Sequence, residues 1–202
     1  MTPTICVLLC TYNGEKYLRR QLDSLLAQKE VNVSVLVHDD GSTDSTPDII
    51  KEYGMPVMGG EHLGPAHGFF YLLENAPSAD YYAFCDQDDI WDDDKLISAV
   101  RMSQAFLSDK SSSFPVLCCS STRLVAEDET FISDHIVNKD RTPASRLFYA
   151  SISGNTMVMN AAMRDICLMH IPERMIMHDS WIVKLAVASG AGFIIDEKPH
   201  IS

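Results

Sequence analysis

The stretch FCDQDDIWDDDKL at positions 84–96 holds six aspartates, at 86, 88, 89, 92, 93 and 94. Like charges at that density repel one another, so a chain that keeps them must use or neutralise some. Asp86 and Asp88 follow directly on the apolar run YYAFC and are spaced i and i+2. At the end of a strand, that spacing can turn two carboxylates toward one point beyond the sheet. Hard divalent cations such as Mg²⁺ are held by one or two carboxylates, with water and substrate phosphates completing the shell. Asp86 and Asp88 are therefore expected to contact a metal or a substrate. Asp92, Asp93 and Asp94 precede a helical pattern and read as a helix N-terminus, where carboxylates favour the dipole. Asp89 falls between the two groups.

A second acidic group lies in HDDGSTDST, positions 38–46, at the end of the apolar run VSVLVH. A carboxylate there can accept hydrogen bonds from a base N–H or a ribose hydroxyl. It can equally shape an Asx turn, for which Gly41 and Ser42 are suited. Both hold together if one of Asp39 and Asp40 makes the turn while the other faces a ligand. A third candidate is MHDSW at 177–181, where Asp179 opens a late helix; taken alone, it reads as an N-cap. The seven histidines show no metal-ligand spacing. There is no G-x-S-x-G elbow, P-loop or G-x-G-x-x-G turn.

The elements that must position these residues alternate through the first half. TICVLLC (4–10) is a buried strand, and KYLRRQLDSLLAQ (16–28) puts Tyr17, Leu18, Leu22, Leu25 and Leu26 on one helical face. VSVLVH is a second strand; Ser42 and Thr43 open a helix that Gly54 ends. PVMGG is a brief strand, PAHGFFYLLENA a helix, YYAFC a strand and DDKLISAVRMSQAFLSD a helix. Such alternation implies a mostly parallel sheet with helices on both faces. TYNGE, HDDGS and CDQDD then fall together at strand carboxyl ends, where ligands bind such sheets. In the second half FPVLCCSSTRLVAED reads as a strand pair or bent strand and DETFISDHIVNKDRTP as a long polar connection. ASRLFYASIS reads as a short helix, NTMVMN as a strand, AAMRDICLMH and HDSWIVKLAVASG as helices, and GFIID as a last strand.

Composition narrows the partners. With 16 Lys plus Arg against 28 Asp plus Glu, the net charge is -12, so no basic stripe exists for nucleic acid. A phosphate-bearing substrate needs a divalent cation to supply positive charge. The six cysteines form no C-x-x-C and lie in apolar runs, as buried reduced thiols of a cytosolic protein do. The N-terminus lacks the basic start of a signal peptide, and nothing reaches the roughly 18 continuous apolar residues of a membrane span. The length of 202 residues suits one domain.

In order, LLCTYNGEKYLRRQLDSLLAQ, VLVHDDGSTDSTPDII, HLGPAHGFFYLL, YYAFCDQDDIWDDDKL, SGNTMVMN and MHDSW resemble the motifs of family 2 glycosyltransferases. They are most similar to bacterial rhamnosyltransferase-like members. The resemblance spans residues 4–198. It implies a glycosyltransferase A-type α/β fold in one domain, with residues 1–110 binding the nucleotide-sugar and 111–202 the acceptor. It also implies inverting transfer from a nucleotide-diphospho-sugar (a dTDP or UDP sugar, rhamnose being one candidate), assisted by Mg²⁺ or Mn²⁺. The acceptor would be a glycan or lipid-linked hydroxyl in cell-surface polysaccharide synthesis. The location would be cytoplasmic, extending to peripheral contact with the inner face of the plasma membrane where the acceptor is lipid-linked.

Carried over by position, Thr11, Tyr12, Asn13 and Glu15 would line the nucleoside pocket. Asp40 would contact the base, with Asp39 structural beside it. Asp88 would be the direct metal ligand, Asp86 would stand nearer the ribose or a metal-bound water, and Asp179 would be the general base in place of the N-cap. Relatives continue past DEKPHIS into a YRQH-like stretch, so the chain is expected to be C-terminally truncated. Two other classes compete. A sugar-nucleotide pyrophosphorylase would need a Gly-rich basic loop where TYNGEKYL stands. A non-catalytic sugar-nucleotide-binding module would be expected to have lost Asp86, Asp88 or Asp179.

Overall fold

The computed structural model describes residues 1–58, 60, 62–140, 145 and 152–202. Strand β1 (Thr4–Thr11), helix α1 (Leu18–Leu26), β2 (Asn32–Asp39), α2 (Thr46–Glu52), β3 (Val57–Met58), α3 (Gly64–Asn75), β4 (Tyr81–Cys85) and α4 (Lys95–Phe106) follow the expected alternation. Beyond them come β5 (Val116–Val125), β6 (Phe131–His135), a 3₁₀ turn (Gly154–Thr156), β7 (Met157–Asn160), α5 (Ala161–Met169), α6 (His178–Ala188) and β8 (Gly192–Pro199). One eight-stranded sheet runs β3-β2-β1-β4-β7-β5-β6, with β8 paired to β5. Strands β1 to β4 pair in parallel, as do β5 and β8, while β7 runs against both β4 and β5.

The period of two in β1 sorts the core. Ile5, Val7 and Leu9 face one layer, with Leu18, Leu22 and Leu25 of α1, Ile49 and Ile50 of α2, and Leu96 and Val100 of α4. Cys6 and Leu8 face the other, with Phe69 and Phe70 of α3, Met163 of α5 and Ile182 of α6. Each fully buried Leu or Phe contributes about 1.5–3 kcal/mol over its exposed state. Five cysteines are buried and Cys10 is partly so, and none is joined in a disulfide. No helix among the described residues is long and apolar enough to cross a membrane.

The second helix begins later than Ser42 and Thr43, because Asp39 holds the Ser42 N–H and hydroxyl in a turn. The polar stretch expected as a connection contains β6, whose residues are all exposed. Backbone pairing to β5 forms this strand without any apolar alternation to announce it. Ion pairs Lys16–Glu127 and Arg20–Glu129 tie the tip of that hairpin to the start of α1. The short helix expected over 144–153 falls largely outside the described residues.

At the far end, Ser202 exchanges two backbone hydrogen bonds with Ile90 (2.6 and 2.9 Å), and Ile201 bridges Trp91. The run after β8 is thereby stitched onto the loop that carries the aspartates.

Candidate active site

The carboxyl ends of β2, β1 and β4 lie side by side, with Thr11 opposite Asp39 and Leu9 opposite Cys85. Thr11, Asp40 and the Asp86–Asp88 segment therefore share one rim. A cavity of about 370 Å³ opens there, lined by Thr11, Tyr12, Asp40, His62, Asp86 and Asp88 among others. Asn13 and Glu15 do not line it. Asn13, held at φ 49, accepts from the Thr43 N–H (2.9 Å), and Glu15 accepts from the Ser45 N–H (2.9 Å). Both side chains brace the loop between β2 and α2.

The two aspartates at the end of β2 have different surroundings. Asp39 accepts from the hydroxyls of Thr11 (2.8 Å) and Ser42 (2.6 Å) and from the Ser42 N–H (3.0 Å). Asp40 is buried at the cavity wall, where Oδ1 accepts from the Leu63 N–H (2.6 Å) and the Gly64 N–H (3.1 Å). Its Oδ2 lies 2.9 Å from His62 Nδ1. The start of α3 thus holds the carboxylate in place.

Gln87, the middle residue of Asp86-Gln87-Asp88, is a structural clamp. Its Oε1 accepts from the Tyr12 N–H (2.8 Å) and its Nε2 donates to the Tyr12 carbonyl (3.0 Å), locking the end of β4 to the end of β1. A Cβ at Gly14 would stand 2.3 Å from Gln87 Oε1, so the clamp requires glycine there.

Asp86 is pushed up to about 7, first by burial and then by the charges of Asp89, Asp88 and Asp179. Asp89 is pushed up to about 6 by burial, against a hydrogen bond from Asn155 that favours the charged form. Asn155 Nδ2 donates to Asp89 Oδ2 at 2.6 Å. Beneath them the wholly buried Lys95 is pulled down to about 8 by desolvation, its Nζ 3.3 Å from the centre of the Trp91 ring.

No lysine or arginine lines the 370 Å³ cavity among the described residues. Neighbouring strand-tip carboxylates, of which Asp86 is raised first by burial and then by like charge, fit a hard divalent cation. A second acidic group, Asp92, Asp94 and His200, has ligand atoms within 4.8 Å of one another. These residues are already engaged: Arg123 meets Asp92 (3.4 Å), Lys198 meets Asp94 (2.6 Å), and His200 bridges Asp94 (3.1 Å) and Asp196 (2.9 Å). Asp93 pairs with Lys29. Asp92 and Asp94 fasten the region of Lys198 and His200, while Asp94 also stands as the N-cap of α4 without a side-chain cap bond.

Asp179 lies in the first turn of α6, whose N-cap is Met177. It lines a cavity of about 310 Å³ with Ser120, Thr122, His135, Ser153 and Thr156. Burial raises its pKa, and the backbone amides of Ser180 and Gly154 counter that rise. A trough of about 700 Å³ shares Asp88 with the first cavity and Thr122, His135 and Ser153 with the second. The aspartate rim and Asp179 therefore open onto one continuous surface depression. Next to Asp179, His178 sits between the rings of Phe69 (4.2 Å) and Phe84 (5.1 Å), and burial lowers its pKa to about 4, keeping it neutral.

Sequence reasoning missed Gln87, His62 and Asn155. Only Asn155 carried a signal: it is a polar residue entering an apolar strand run, NTMVMN.

The family model for Glycosyl transferase family 2 matches residues 6–107. The dTDP-rhamnosyl transferase RfbG of Shigella flexneri is 34% identical over 102 residues, which are 46% of this chain and 35% of that protein. The putative teichuronic acid biosynthesis glycosyltransferase TuaG of Bacillus subtilis is 31% identical over 134 residues, 63% of this chain and 50% of that one. The chain thus spans half or less of these relatives' length. S. aureus TarS 1-349, solved in complex with UDP, superposes with a TM-score of 0.70 at 19% identity, covering 98% of this chain and 59% of that one. The mannosyltransferase PcManGT from Pyrobaculum calidifontis, in complex with GDP-Man and Mn²⁺, gives 0.66 at 19% identity, covering 98% and 58%. At such identity the likeness shows the fold, the glycosyltransferase A-type arrangement.

Proposed function

Because the chain belongs to glycosyl transferase family 2, we propose that it moves a sugar, with inversion, from a nucleotide-diphospho-sugar to a hydroxyl of a glycan or lipid-linked acceptor. What carries this is a strand-tip cavity that offers carboxylates and, among the described residues, no lysine or arginine, continuous through Asp88 with the surroundings of Asp179. Asp40 accepts from a base N–H, and Tyr12 and His62, with ring centres 5.8 Å apart, wall the nucleoside. Asp86 and Asp88 would hold Mg²⁺ or Mn²⁺, which would supply positive charge to offset that of the leaving diphosphate. Asp179 takes the proton of the acceptor hydroxyl, which is a poor nucleophile until a positioned carboxylate assists it. Inversion needs only that one base, opposite the leaving group. Residues 1–110 act as the donor half and 111–202 as the acceptor half, a division that the match over residues 6–107 supports.

The name of the Shigella relative favours a dTDP-sugar, with rhamnose as the transferred group, and that of TuaG favours a role in surface polysaccharide synthesis. A lipid-linked acceptor would draw the protein to the inner face of the membrane. Calorimetric titration of dTDP, UDP and their sugars, with and without Mn²⁺, tests the donor assignment. Metal-dependent binding of a thymidine or uridine diphosphate species is expected, and its absence overturns the proposal. Asp179→Asn should keep that affinity and lose transfer by about 10²–10⁴-fold; equal loss of both removes Asp179 from the base role.

A further inference from the structure

The Asp86-Gln87-Asp88 segment and Asp179 come from different layers of the fold, the first from the end of β4 and the second from α6. Side-chain contact between those layers is apolar, the Phe84 ring against His178 at 5.1 Å, and apolar contact does not fix direction. Beyond the backbone ladder between β4 and β7, a side-chain hydrogen bond joins them directionally. Asp89 directly follows Asp88, and its Oδ2 accepts from Asn155 Nδ2 at 2.6 Å. Asn155 is 8% exposed, and its Oδ1 is buried without a partner among the described residues, so Asp89 alone orients the amide. Lys95 below adds a favourable charge on Asp89.

Asn155 sits in the 3₁₀ turn Gly154–Thr156, closed by the Thr156 N–H (3.1 Å) and hydroxyl (2.7 Å) on the Ser153 carbonyl. The preceding Gly154 seats that turn against α6. A Cβ there would lie 2.1 Å from His178 Nε2, on the residue next to Asp179, and Ser153 and Thr156 line the same cavity as Asp179. The Gly154 amide favours the charged form of that carboxylate.

We propose that Asp89 and Asn155 are a positioning pair, which sets where the Asp179 carboxylate stands relative to Asp86 and Asp88. The assignment rests on the transfer reaction proposed above. Neither residue touches the acceptor proton; they act through Gly154. A displacement of the base by about 1 Å costs on the order of 10²-fold in rate while leaving donor contacts intact.

The test uses Asn155→Ala, Asn155→Asp, and the exchange of Asp89→Asn combined with Asn155→Asp, which rebuilds the hydrogen bond with donor and acceptor reversed. For Asn155→Ala, kcat should fall roughly 10- to 100-fold, with Kd for dTDP or UDP in Mn²⁺ unchanged within about threefold. Asn155→Asp sets two carboxylates face to face and should lose at least as much. The exchange should recover most of kcat. Wild-type kcat in Asn155→Ala, or an exchange no better than Asn155→Asp, overturns the proposal. Should Asn155→Ala fail to fold, the exchange variant decides.

If the wild type binds no donor or transfers no sugar, the reaction reading fails separately. The pair is then judged by carboxyl NMR titration of Asp179 in the full chain. Asn155→Ala should raise that pKa, because the Gly154 amide that favours the charged form is displaced; an unmoved titration overturns the pairing.

Discussion

Replacing Asp86 by Asn should make the metal-free protein more stable while removing its response to metal. The Asp86 carboxyl is raised from 3.8 to about 7. Between those values the folded protein keeps a proton that the unfolded chain has released, so this residue's contribution falls as pH rises through the window. About three pKa shifts of ~1.4 kcal/mol each give an upper bound near 4 kcal/mol above pH 7, and partial exposure brings the expectation to about 2–4 kcal/mol. For a chain of this size that is roughly 5–15 °C in Tm. His178, lowered to about 4, pulls the other way below its unfolded pKa, because there the unfolded chain binds the extra proton. The difference between wild type and Asp86→Asn cancels that effect.

The assay is thermal unfolding in EDTA at closely spaced pH values from 5 to 8, repeated with Mn²⁺. The variant's advantage should grow with pH, and Mn²⁺ should raise the wild-type Tm more at high pH than at low, with little effect on Asp86→Asn. A wild type whose Tm deficit against Asp86→Asn does not change with pH would refute the reasoning.

Further outcomes follow from the same geometry. Gln87→Ala releases both hydrogen bonds to the Tyr12 backbone and should weaken dTDP or UDP binding by about 1–3 kcal/mol in calorimetry. Gly154→Ala drives a Cβ against His178 Nε2 and should lower both Tm and kcat, whereas Gly190→Ala, with no atom near its Cβ, strains only the backbone and should leave kcat alone. Leu22→Ala, in the layer under α1, should cost about 2–5 kcal/mol in denaturant unfolding without altering donor affinity relative to the folded fraction.

The first half of the fold was legible because its strands are buried on both faces and its polar tips interrupt continuous apolar runs. Thr11, Tyr12, Asp40, Asp86 and Asp88 come together by that logic alone: a parallel sheet brings its strand ends to one rim. Asn13 and Glu15 lie on the same segment yet turn toward the loop after β2, and nothing in residue type tells a ligand-facing amide from a loop-bracing one. Gln87 was invisible for a related reason. It occupies the middle position between two carboxylates, and its partner is a backbone, which leaves no trace in sequence. β6 went unread because an exposed strand held only by ladder hydrogen bonds has no hydrophobic period. The aspartates at 92–94 do precede a helix, whose N-cap is Asp94, but sequence did not show that three cations from distant elements, Arg123, Lys29 and Lys198, also pair with them.

The stitching of Ile90 to Ser202 and Trp91 to Ile201 bears on the order in which the protein is made. Local elements such as the β1–α1–β2 unit can form while the chain is still emerging, but a ladder between such distant segments closes only late. The loop that carries Asp86, Asp88 and Asp89 borrows its backbone partners from residues synthesised well after it. A chain from which residues 200–202 have not yet emerged would lack these partners, so competence to capture a nucleotide should arrive with their emergence rather than grow steadily with chain length.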